Sequence, residues 1–506
     1  MRRLKIIPQK PNRKDLQDLE EELSRILVSA ALAVFVVPLC LIHALSLATP
    51  PDPDLPAWVD TVGARRTPPD GQSFPVKAFG ASNDGTTLST VAIQKAIDAC
   101  TAAGGGIVTF EPGTYLTGAL FLKSNVHLRV DEGVTLLAVQ TESAYPKLWT
   151  RVAGIEMEWP AALVNVNDQN NVRISGKGTI DGNGELWWKK YWNMRRNDYE
   201  PRGLRWAVDY DCERVRLLVV WKSSDVTLEG VRLRRSGFWT VQLCYSDHLT
   251  VDGVKISDNG GPSTDGVNID SSSRVLVQNC DIDNNDDCIC LKAGRDFDGL
   301  RVNRPAEYVV IRRNVTRRGG GVVSFGSETS GGIRHVVAYD NRGIGTAEGI
   351  RFKSARTRGG IVEDVLIRDT TMERVPLPFT FTLNWNPSYS YATIPKGLEQ
   401  VPPHWKVLNT PVEPAERGLC EFRDITIINV EATGARRILS AAGLSGKPLV
   451  DIRWENITAH GQEAGSIDWA RDWTMKNVKF FTSDGLPAKS SNSENVALPE
   501  VVREAK

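Results

Sequence analysis

Three acidic side chains stand in two short polar motifs near the middle of the sequence. Asp265 ends the stretch 261–265, and Asp286 and Asp287 are adjacent, followed by Cys288. Carboxylates that are held close together repel one another, so at least one of them keeps its proton at a raised pKa. A protonated carboxyl beside an ionised one is what general acid–base catalysis requires. If the fold brings the three side chains together, they are candidate catalytic residues.

Basic side chains follow the acidic motifs. Arg351 and Lys353 flank a phenylalanine, and on a strand such residues point to the same face. Arg binds carboxylates through two parallel hydrogen bonds, so the pair is suited to an acidic sugar polymer. Ser263, Lys292 and Arg295 lie in or directly after the acidic motifs, and we predict that they also contact substrate.

A short unit recurs along the body of the chain. Each copy alternates apolar and polar residues, which indicates strands with one buried face, and is interrupted by Gly or Asn, which supply the left-handed backbone of a sharp corner. The most closely spaced copies begin about 22–30 residues apart, without a helical pattern between them. The pattern predicts an all-β fold, a right-handed parallel β-helix in which each repeat is one coil. The copies are residues 171–176, 225–233, 248–256, 274–282, 308–315 and 424–430.

The coil length bears on the acidic motifs. Asp265 and Asp286 are 21 residues apart, close to one coil. Equivalent positions on neighbouring coils stack about 4.8 Å apart, so Asp265, Asp286 and Asp287 are expected to converge on one patch. Asp is also a common turn former, which is the alternative explanation for any one of them. Mutual repulsion argues against that explanation for all three together.

The chain divides into five segments. The apolar segment is long enough to span a membrane, and both a cleaved signal peptide and an uncleaved anchor fit it. Either reading places the body outside the cytoplasm, as a periplasmic, secreted or membrane-anchored protein. The segments are a basic flank at 1–25, the apolar segment at 26–48, a Pro-rich linker at 49–72, the β-helix domain at 73–487 and a polar tail at 488–506.

The open end of a β-helix exposes apolar residues and needs a cover. In the stretch 90–100, Val91, Ile93, Ala96 and Ile97 lie at the spacing of one helix face. We therefore expect a short N-terminal capping helix there.

The composition is that of a globular protein, with 41% apolar and 24% charged residues. Sixty-one basic residues balance 61 acidic ones, so no net charge draws the chain to nucleic acid. The eight cysteines form no CxxC pair and no Cys/His cluster with zinc spacing. Cys288 and Cys290 alternate in an apolar run and are expected to be small buried side chains, and disulfide pairing stays open.

The body resembles glycoside hydrolase family 28, the polygalacturonase family of pectin-degrading enzymes, over nearly all of residues 79–480. Segments 78–85, 92–98, 104–106, 112–115 and 178–184 carry the resemblance outside the site. Within the site, Asp286-Asp287-Cys288 and Arg351-Phe352-Lys353 match the family's motifs fully. Ser263-Thr264-Asp265 resembles the family's Asn-Thr-Asp, with Ser in place of Asn.

The resemblance implies an inverting hydrolysis of pectic polysaccharide, of polygalacturonate or rhamnogalacturonan type. Two carboxylates and a water suffice for it, so we expect no metal or cofactor, and we expect a monomer. Asp286 would protonate the leaving oxygen, and Asp265 and Asp287 would activate water. In inverting enzymes the acid and base are expected about 6.5–9.5 Å apart. Arg351 and Lys353 would bind the substrate carboxylate beside the cleaved bond.

One family element is absent. Where the family has Gly-His-Gly, this sequence has three glycines, and Gly319 stands at the position of the His. The resemblance links that His to action on plain polygalacturonate, and family members that act on rhamnogalacturonan also lack it. The pectic linkage, and attack within the chain or at its end, stay open.

Two other functions remain as alternatives. A calcium-dependent pectate lyase would use the Asp cluster to bind calcium and an Arg as base. A non-catalytic β-helix would bind polysaccharide or act as a surface adhesin, since function resides in sites rather than in folds. Several Trp side chains are candidates for stacking on sugars, with packing inside the fold as the alternative. They are Trp187, Trp188, Trp192, Trp239 and Trp385.

Overall fold

The structure, a computed structural model, describes residues 54–504. They belong almost entirely to one compact unit, Trp58–Lys506. The basic flank at 1–25 and the apolar segment at 26–48 lie outside the described residues, so the two readings of that segment stay predictions. Within residues 54–504, no helix has the length and apolar character that crossing a membrane requires.

The predicted right-handed parallel β-helix is confirmed. Each coil passes through three parallel sheets, here called A, B and C, in that order. Sheet A contains Ser73–Pro75, Gly106–Thr109, Val126–Arg129, Asn170–Ser175, Ser224–Glu229, Asp247–Asp252, Ser273–Gln278, Ala306–Arg312 and Ile333–Tyr339. Sheet B contains Asp84–Leu88, Gly113–Thr117, Val134–Ala138, Thr179–Asp181, Arg232–Arg234, Lys255–Asn259, Asp281–Asn284, Val315–Thr316 and Arg342–Ile344. Sheet C contains Leu120–Leu122, Val164–Asn167, Leu218–Trp221, Val241–Cys244, Val267–Asp270, Ile289–Lys292, Val323–Phe325, Glu348–Lys353 and Leu377–Thr382.

The last coils have longer strands that bend from one sheet into the next. These are Ile361–Glu373, Glu421–Ala442, Leu449–Asp468 and Ala470–Thr482. Three short strands follow at the C-terminal end: Lys489–Ser491, Glu494–Val496 and Glu500–Arg503. They pair with the preceding coil, for example Phe480 with Val501. The segment predicted as a polar tail therefore extends the β-helix, because its backbone completes the last sheet edges.

Alternating burial and left-handed corners explain the repeat. At the turn from sheet A to sheet B, Gly230, Gly253 and Asn279 have φ angles of 70°, 60° and 56°. These residue types adopt the left-handed region at the lowest cost. Between the corners, the inward side chains stack from coil to coil. In sheet C, Phe325 and Phe352 lie with ring centroids 4.2 Å apart and nearly parallel.

The predicted capping helix is present as Thr90–Ala102. Its buried face consists of Ile93, Ala96, Ile97 and Cys100. The prediction that Val91 belongs to this face is wrong, since its side chain is 68% exposed. The i, i+3, i+4, i+7 spacing of the buried face starts at Ile93 and is completed by Cys100. The other α-helices are Glu185–Met194, Val208–Asp211, Asp296–Val302, Pro387–Ser390 and Pro403–Leu408; the 3-10 helices are Ala57–Thr61, Val76–Phe79, Glu142–Ala144 and Ala415–Gly418, and Arg195–Tyr199 is a π-helix.

Residues 58–72, most of the predicted Pro-rich linker, pack on the β-helix and are called the strap below. Trp58 contacts the ring of Tyr308 edge-on at 5.5 Å. The amide of Gly63 donates to the carbonyl of Arg274 at 3.0 Å. Arg65 and Arg66 both bind the buried carboxylate of Asp225. The strap thus crosses the coils along sheet A, a packing against the β-helix that the predicted linker did not include.

Three insertions interrupt the coils and form what we call the wall. They are the antiparallel hairpin Lys147–Val152/Ile155–Pro160, the helical insertion at 183–214 and the loop insertion at 383–420. Their apolar side chains share one buried cluster, in which the rings of Trp206 and Trp405 lie 4.9 Å apart. Phe238 and Trp239 of the coils belong to the same cluster. The wall is therefore a packed unit beside sheet C.

Candidate active site

The three predicted acids converge on one patch at the start of the sheet C strands. Carboxylate oxygens of Asp265, Asp286 and Asp287 lie within 4.8 Å of one another. Val267 pairs with Ile289 and Asn268 with Cys290, and this offset makes Asp265 the equivalent of Asp287, not of Asp286. The three acids line one cleft, together with Lys292 and Lys353.

Asp287 is the ionised member of the cluster. Its Oδ1 accepts hydrogen bonds from Ser324 Oγ at 2.7 Å and Arg351 Nη1 at 3.0 Å. Its Oδ2 lies 2.6 Å from Lys353 Nζ. Burial disfavours the charged form, but the charges of Lys353 and Arg351 outweigh that penalty and hold the pKa of Asp287 far below its usual range. Arg351 and Lys353 thus act on one carboxylate from one face.

Asp265 and Asp286 have the opposite electrostatic environment. Burial, followed by the charge of Asp286, raises the pKa of Asp265 well above its usual value. Burial and the neighbouring charge of Asp287 raise the pKa of Asp286. Asp286 is only partly buried and accepts the amide of Asp287 at 2.9 Å. The cluster therefore combines one stable carboxylate with two carboxyls of raised pKa, as an acid–base site needs.

The expected spacing of the acid and the base is wrong. The resemblance implied about 6.5–9.5 Å, whereas the nearest carboxylate oxygens lie within 4.8 Å of one another. The reason is the fold: Asp286 and Asp287 are neighbours in the chain, and Asp265 stands one coil away. Strand spacing, about 4.8 Å, sets the separation.

Lys292 lies in the cleft beside the acids. Its Nζ is 3.1 Å from a Glu328 carboxylate oxygen and 3.7 Å from Asp265. Although burial opposes ionisation of Glu328, the positive charge of Lys292 lowers its pKa to about 2. Glu328 was not predicted; it follows the three glycines by seven residues, and only its burial against Lys292 marks it.

Ser263 and Arg295 have different positions. Ser263 lines the cleft, and its hydroxyl donates to Asp209 at 3.0 Å. Arg295 is fully buried and donates to the Tyr210 hydroxyl and to the carbonyls of Tyr389 and Ser390. The prediction that Arg295 contacts substrate is wrong, because its guanidinium joins the insertions of the wall.

Two further residues that sequence patterns missed come from the helical insertion. Arg205 lines the cleft, and its Nη1 donates to Asp209 Oδ2 at 2.8 Å. Asp209 is buried and also accepts from Arg214 at 2.7 Å. No periodicity connects this insertion to the coils, so the sequence carried no signal that would bring these residues to the acids.

Two of the five candidate Trp side chains line the cleft. Trp239 and Trp385 do so, with Lys292 Nζ 5.0 Å from the Trp239 ring and Lys353 Nζ 4.5 Å from the Trp385 ring. Trp187 is buried in the main core. The other two, Trp188 and Trp192, are not among the residues that line the cleft. The cleft thus presents two aromatic side chains, each close to one of its lysines.

The position assigned to the missing His has no room for a side chain. A Cβ on Gly319 would lie 2.7 Å from the carbonyl of Asp286 and 2.8 Å from the sulfur of Cys288. A Cβ on Gly320 would lie 3.0 Å from both Asp287 and Arg351. The seven cysteines of the described residues are free and buried, and the burial confirms the expectation for Cys288 and Cys290.

Comparisons with known proteins agree with this geometry. The family model for "Glycosyl hydrolases family 28" matches residues 113–390, and one for "Rhamnogalacturonase A/epimerase, pectate lyase-like" matches residues 73–141. A probable polygalacturonase of Vitis vinifera is 30% identical over 425 residues, which cover 82% of this chain and 79% of the relative. An exo-poly-alpha-D-galacturonosidase of Dickeya chrysanthemi is 28% identical over 466 residues, covering 84% and 73%.

Solved structures share the fold. The exopolygalacturonase of Thermotoga maritima superposes with a TM-score of 0.69 at 24% identity, covering 88% of this chain and 95% of that one. The surface adhesin PfbA of Streptococcus pneumoniae has a TM-score of 0.51 at 17% identity, covering 83% and 91%. Likeness at this level of identity shows the fold alone. The family match and the Vitis relative carry the assignment: the chain is a glycoside hydrolase and belongs to glycosyl hydrolases family 28.

Proposed function

We propose that the protein hydrolyses glycosidic bonds of pectic polysaccharide, with polygalacturonate as its substrate, by inverting acid–base catalysis. One observation carries the proposal: Asp287, ionised by Arg351 and Lys353, stands in an open cleft beside two carboxyls with raised pKa. The names of the relatives support the polymer. The cations of the cleft suit a substrate that carries one carboxylate per sugar.

Each acid has a role that its surroundings support. Asp286 is the most exposed of the three, and its raised pKa keeps a proton available for the leaving oxygen. Asp265 and Asp287 orient a water molecule on the other side of the bond, and Asp265, whose raised pKa makes its ionised form the stronger base, takes the proton of that water. Because the three groups titrate as a coupled set, the pH–rate profile reports the set rather than any one residue.

Inversion is supported by the state of Asp287 rather than by carboxylate spacing. Both of its oxygens are engaged, Oδ1 by Ser324 and Arg351 and Oδ2 by Lys353. Such bonds stabilise the carboxylate and weaken it as a nucleophile that would attack the sugar. Water held between Asp265 and Asp287 is then the attacking group. Analysis of the first-formed anomer by NMR tests this point: retention of configuration contradicts it.

Attack from a chain end is the second part of the proposal. The wall lines the cleft through Ala153 of the hairpin turn, Arg205 of the helical insertion and Tyr389 of the loop insertion. These insertions are packed together in a buried cluster, so they limit how far a polymer extends on that side. Two of the named relatives and neighbours are exo-acting enzymes.

A panel of polysaccharides tests the function. Purified protein is incubated with polygalacturonate, rhamnogalacturonan and a neutral galactan, with and without a chelator. We expect new reducing ends from polygalacturonate, unchanged by the chelator, with mono- or disaccharides as the first products. Release of unsaturated products, or no cleavage of polygalacturonate, contradicts the hydrolase. A broad ladder of early products contradicts end attack only.

The calcium lyase gains no support from the site. The three carboxylates offer ligand oxygens within 4.8 Å of one another, but Lys353 and Arg351 contact Asp287 directly. A divalent cation in that place would be repelled by two fixed positive charges. The adhesin alternative gains only a shared fold from PfbA.

We further propose that the enzyme acts outside the cytoplasm as a monomer. The apolar segment at 26–48, preceded by a basic flank, supports export. Sequencing the N-terminus of protein recovered from culture fluid and from membranes distinguishes a cleaved signal from an anchor. Light scattering of the soluble body measures its mass, and a dimer contradicts the monomer.

A further inference from the structure

One cation of the cleft is not supplied by the coils. Arg205 precedes the short helix Val208–Asp211 in the helical insertion, and its side chain is 17% exposed. Its neighbours Leu204 and Trp206 are buried in the cluster of the wall. Because both flanking residues are fixed in that cluster, the backbone of Arg205 is held at the edge of the cleft.

The guanidinium of Arg205 is oriented by two contacts. Its Nη1 donates to Asp209 Oδ2 at 2.8 Å, and its carbon lies 5.1 Å from the ring centroid of Tyr389. Neither its Nε nor its Nη2 donates a hydrogen bond to any of the residues that the structure describes. These two donors are therefore free of protein partners on a residue that lines the cleft.

The charges behind Arg205 leave one positive charge in excess. Asp209 is buried and is shared between Arg205 and the fully buried Arg214, so one carboxylate faces two guanidinium groups. Ser263 donates to the same carboxylate at 3.0 Å and takes up more of its hydrogen-bonding capacity. Burial opposes its ionisation, yet the two arginines lower the pKa of Asp209. Asp209 also lines the cleft, but its single charge is shared between two arginines, so the three groups together carry a net positive charge.

The other cations of the cleft are differently placed. Arg351 and Lys353 are both committed to Asp287, and Lys292 is committed to Glu328. Those three stand on the coils beside the acids. Arg205 stands on the wall and keeps donors free, so it is suited to a second anion that lies away from the cleaved bond. A carboxylate is the anion that the fork of an arginine binds through two parallel bonds.

We propose that Arg205 binds the carboxylate of the terminal uronate unit on the wall side of the cleaved bond, and so selects for a charged chain end. This inference rests on the proposed hydrolysis of polygalacturonate. Asp209, Ser263 and Tyr389 are positioning residues for Arg205. The sugar at the wall is thereby recognised by its charge, independently of the carboxylate recognition beside the acids.

The test combines changes in the enzyme with changes in the substrate. Trigalacturonate is compared with trimers in which the terminal unit at one end, or at the other, carries a methyl ester. Wild type, Arg205→Gln and Arg205→Lys are assayed for kcat and KM. Arg202→Gln is the matched control, because Arg202 is 48% exposed, pairs only with Asp198 and lies three residues away.

We expect the ester at one end, and not at the other, to raise the KM of wild type about 10–100-fold, the range of a charged hydrogen bond. Arg205→Gln should raise the KM for trigalacturonate by the same factor and respond no further to that ester. Arg205→Lys should lie between, and Arg202→Gln should match wild type. A side chain that only supports the fold would lower activity on all trimers equally.

Three outcomes overturn the inference. The first is a wild type that cleaves both esterified trimers as well as it cleaves trigalacturonate. The second is an Arg205→Gln variant whose KM still rises with the ester. The third is an Arg205→Gln variant that loses activity by the same factor on every trimer. If Arg205→Gln does not fold, the wild-type comparison alone decides. Failure of the underlying function is distinct, since a wild type that releases nothing from polygalacturonate contradicts the hydrolase itself.

Discussion

The cleft has two halves with different origins. The coil half consists of Asp265, Asp286, Asp287, Arg351 and Lys353, which stand on or next to successive strands of sheet C. The wall half consists of side chains from three insertions that have no repeat. In the coil half, the backbone ladder fixes each position. In the wall half, packing between insertions does so, and a single buried cluster holds them together.

The difference separates chemistry from substrate selection. Coil positions are held by hydrogen bonds shared along the whole β-helix, so a side chain there can change without loss of the fold. Wall positions depend on contacts made once. We therefore expect coil substitutions to affect catalysis without lowering stability, and wall substitutions to affect both.

The largest expected effect is in the coil half. Asp286→Asn should lower kcat/KM for polygalacturonate about 10²–10⁴-fold, the contribution of a general acid. Its melting temperature should be equal to or above that of wild type, because one of three repelling carboxyls is removed. Asp283→Asn, three residues earlier and paired with Arg318 at the surface, should leave kcat/KM unchanged. An Asp286→Asn variant with retained activity contradicts the assignment of the acid.

A change in the charge next to Asp287 should move the pH profile. Lys353→Met should lower kcat/KM roughly 100-fold, as loss of a preorganised charge does. The lysine holds the pKa of Asp287 low, so without it the carboxylate ionises only at higher pH, and the acidic limb of the profile should move upward. Lys255→Met, at an exposed position of sheet B, is the control. An unshifted acidic limb would show that Arg351 alone suffices.

In the wall half, Arg295→Met should reduce stability and activity together. Arg295 is 0% exposed and joins Tyr210 of the helical insertion to Tyr389 and Ser390 of the loop insertion. Removing it should lower the free energy of unfolding by about 3 kcal/mol and kcat/KM about tenfold. Urea titration and kinetics measure both. Arg301→Met, on the helix Asp296–Val302 that follows Arg295, is the control: Arg301 is 48% exposed, and the change should cost less than about 1 kcal/mol. An equally stable Arg295→Met would remove the distinction between the halves.

The smallest expected effect lies outside the cleft. Asp225→Asn, beneath the strap, should lower stability by about 1–2 kcal/mol and leave kcat/KM unchanged. Burial opposes ionisation of Asp225, but hydrogen bonds from Arg65 and Arg66 lower its pKa below the ordinary value near 4. Its contribution is thus present above that pH and lost as the pH falls. The difference between variant and wild type should therefore shrink in acid, and a constant difference contradicts the ion-pair explanation.

Sequence patterns predicted the coil half because a repeat converts spacing along the chain into distance. The alternation, the corners with Gly and Asn, and the coil length together predicted that Asp265 lies beside Asp286 and Asp287. The predicted offset between neighbouring coils, 21 residues from Asp265 to Asp286, was one residue too short, since the strands pair Val267 with Ile289. Arg295 shows the limit: its place in a functional motif indicated the cleft, yet its guanidinium points into the wall.

The wall could not be predicted for a physical reason. Arg205 and Asp209 are brought to the acids by Trp206 and Trp405, which lie about 200 residues apart in segments without periodicity. The Pro-rich composition of residues 58–72 did not reveal the strap either, because Asp225, the partner of Arg65 and Arg66, lies about 160 residues further along the chain. Contacts of this kind are set by tertiary packing alone.

The strap also has a consequence for how the protein is made. Trp58 leaves the ribosome roughly 250 residues before its ring partner Tyr308. At about 5–20 residues per second, that interval is on the order of 10–50 s. The strap can therefore dock along its full length only on a chain that has been made through Tyr308. Such a chain already carries the three acids, whereas Arg351 and Lys353 on strand Glu348–Lys353 are still to come.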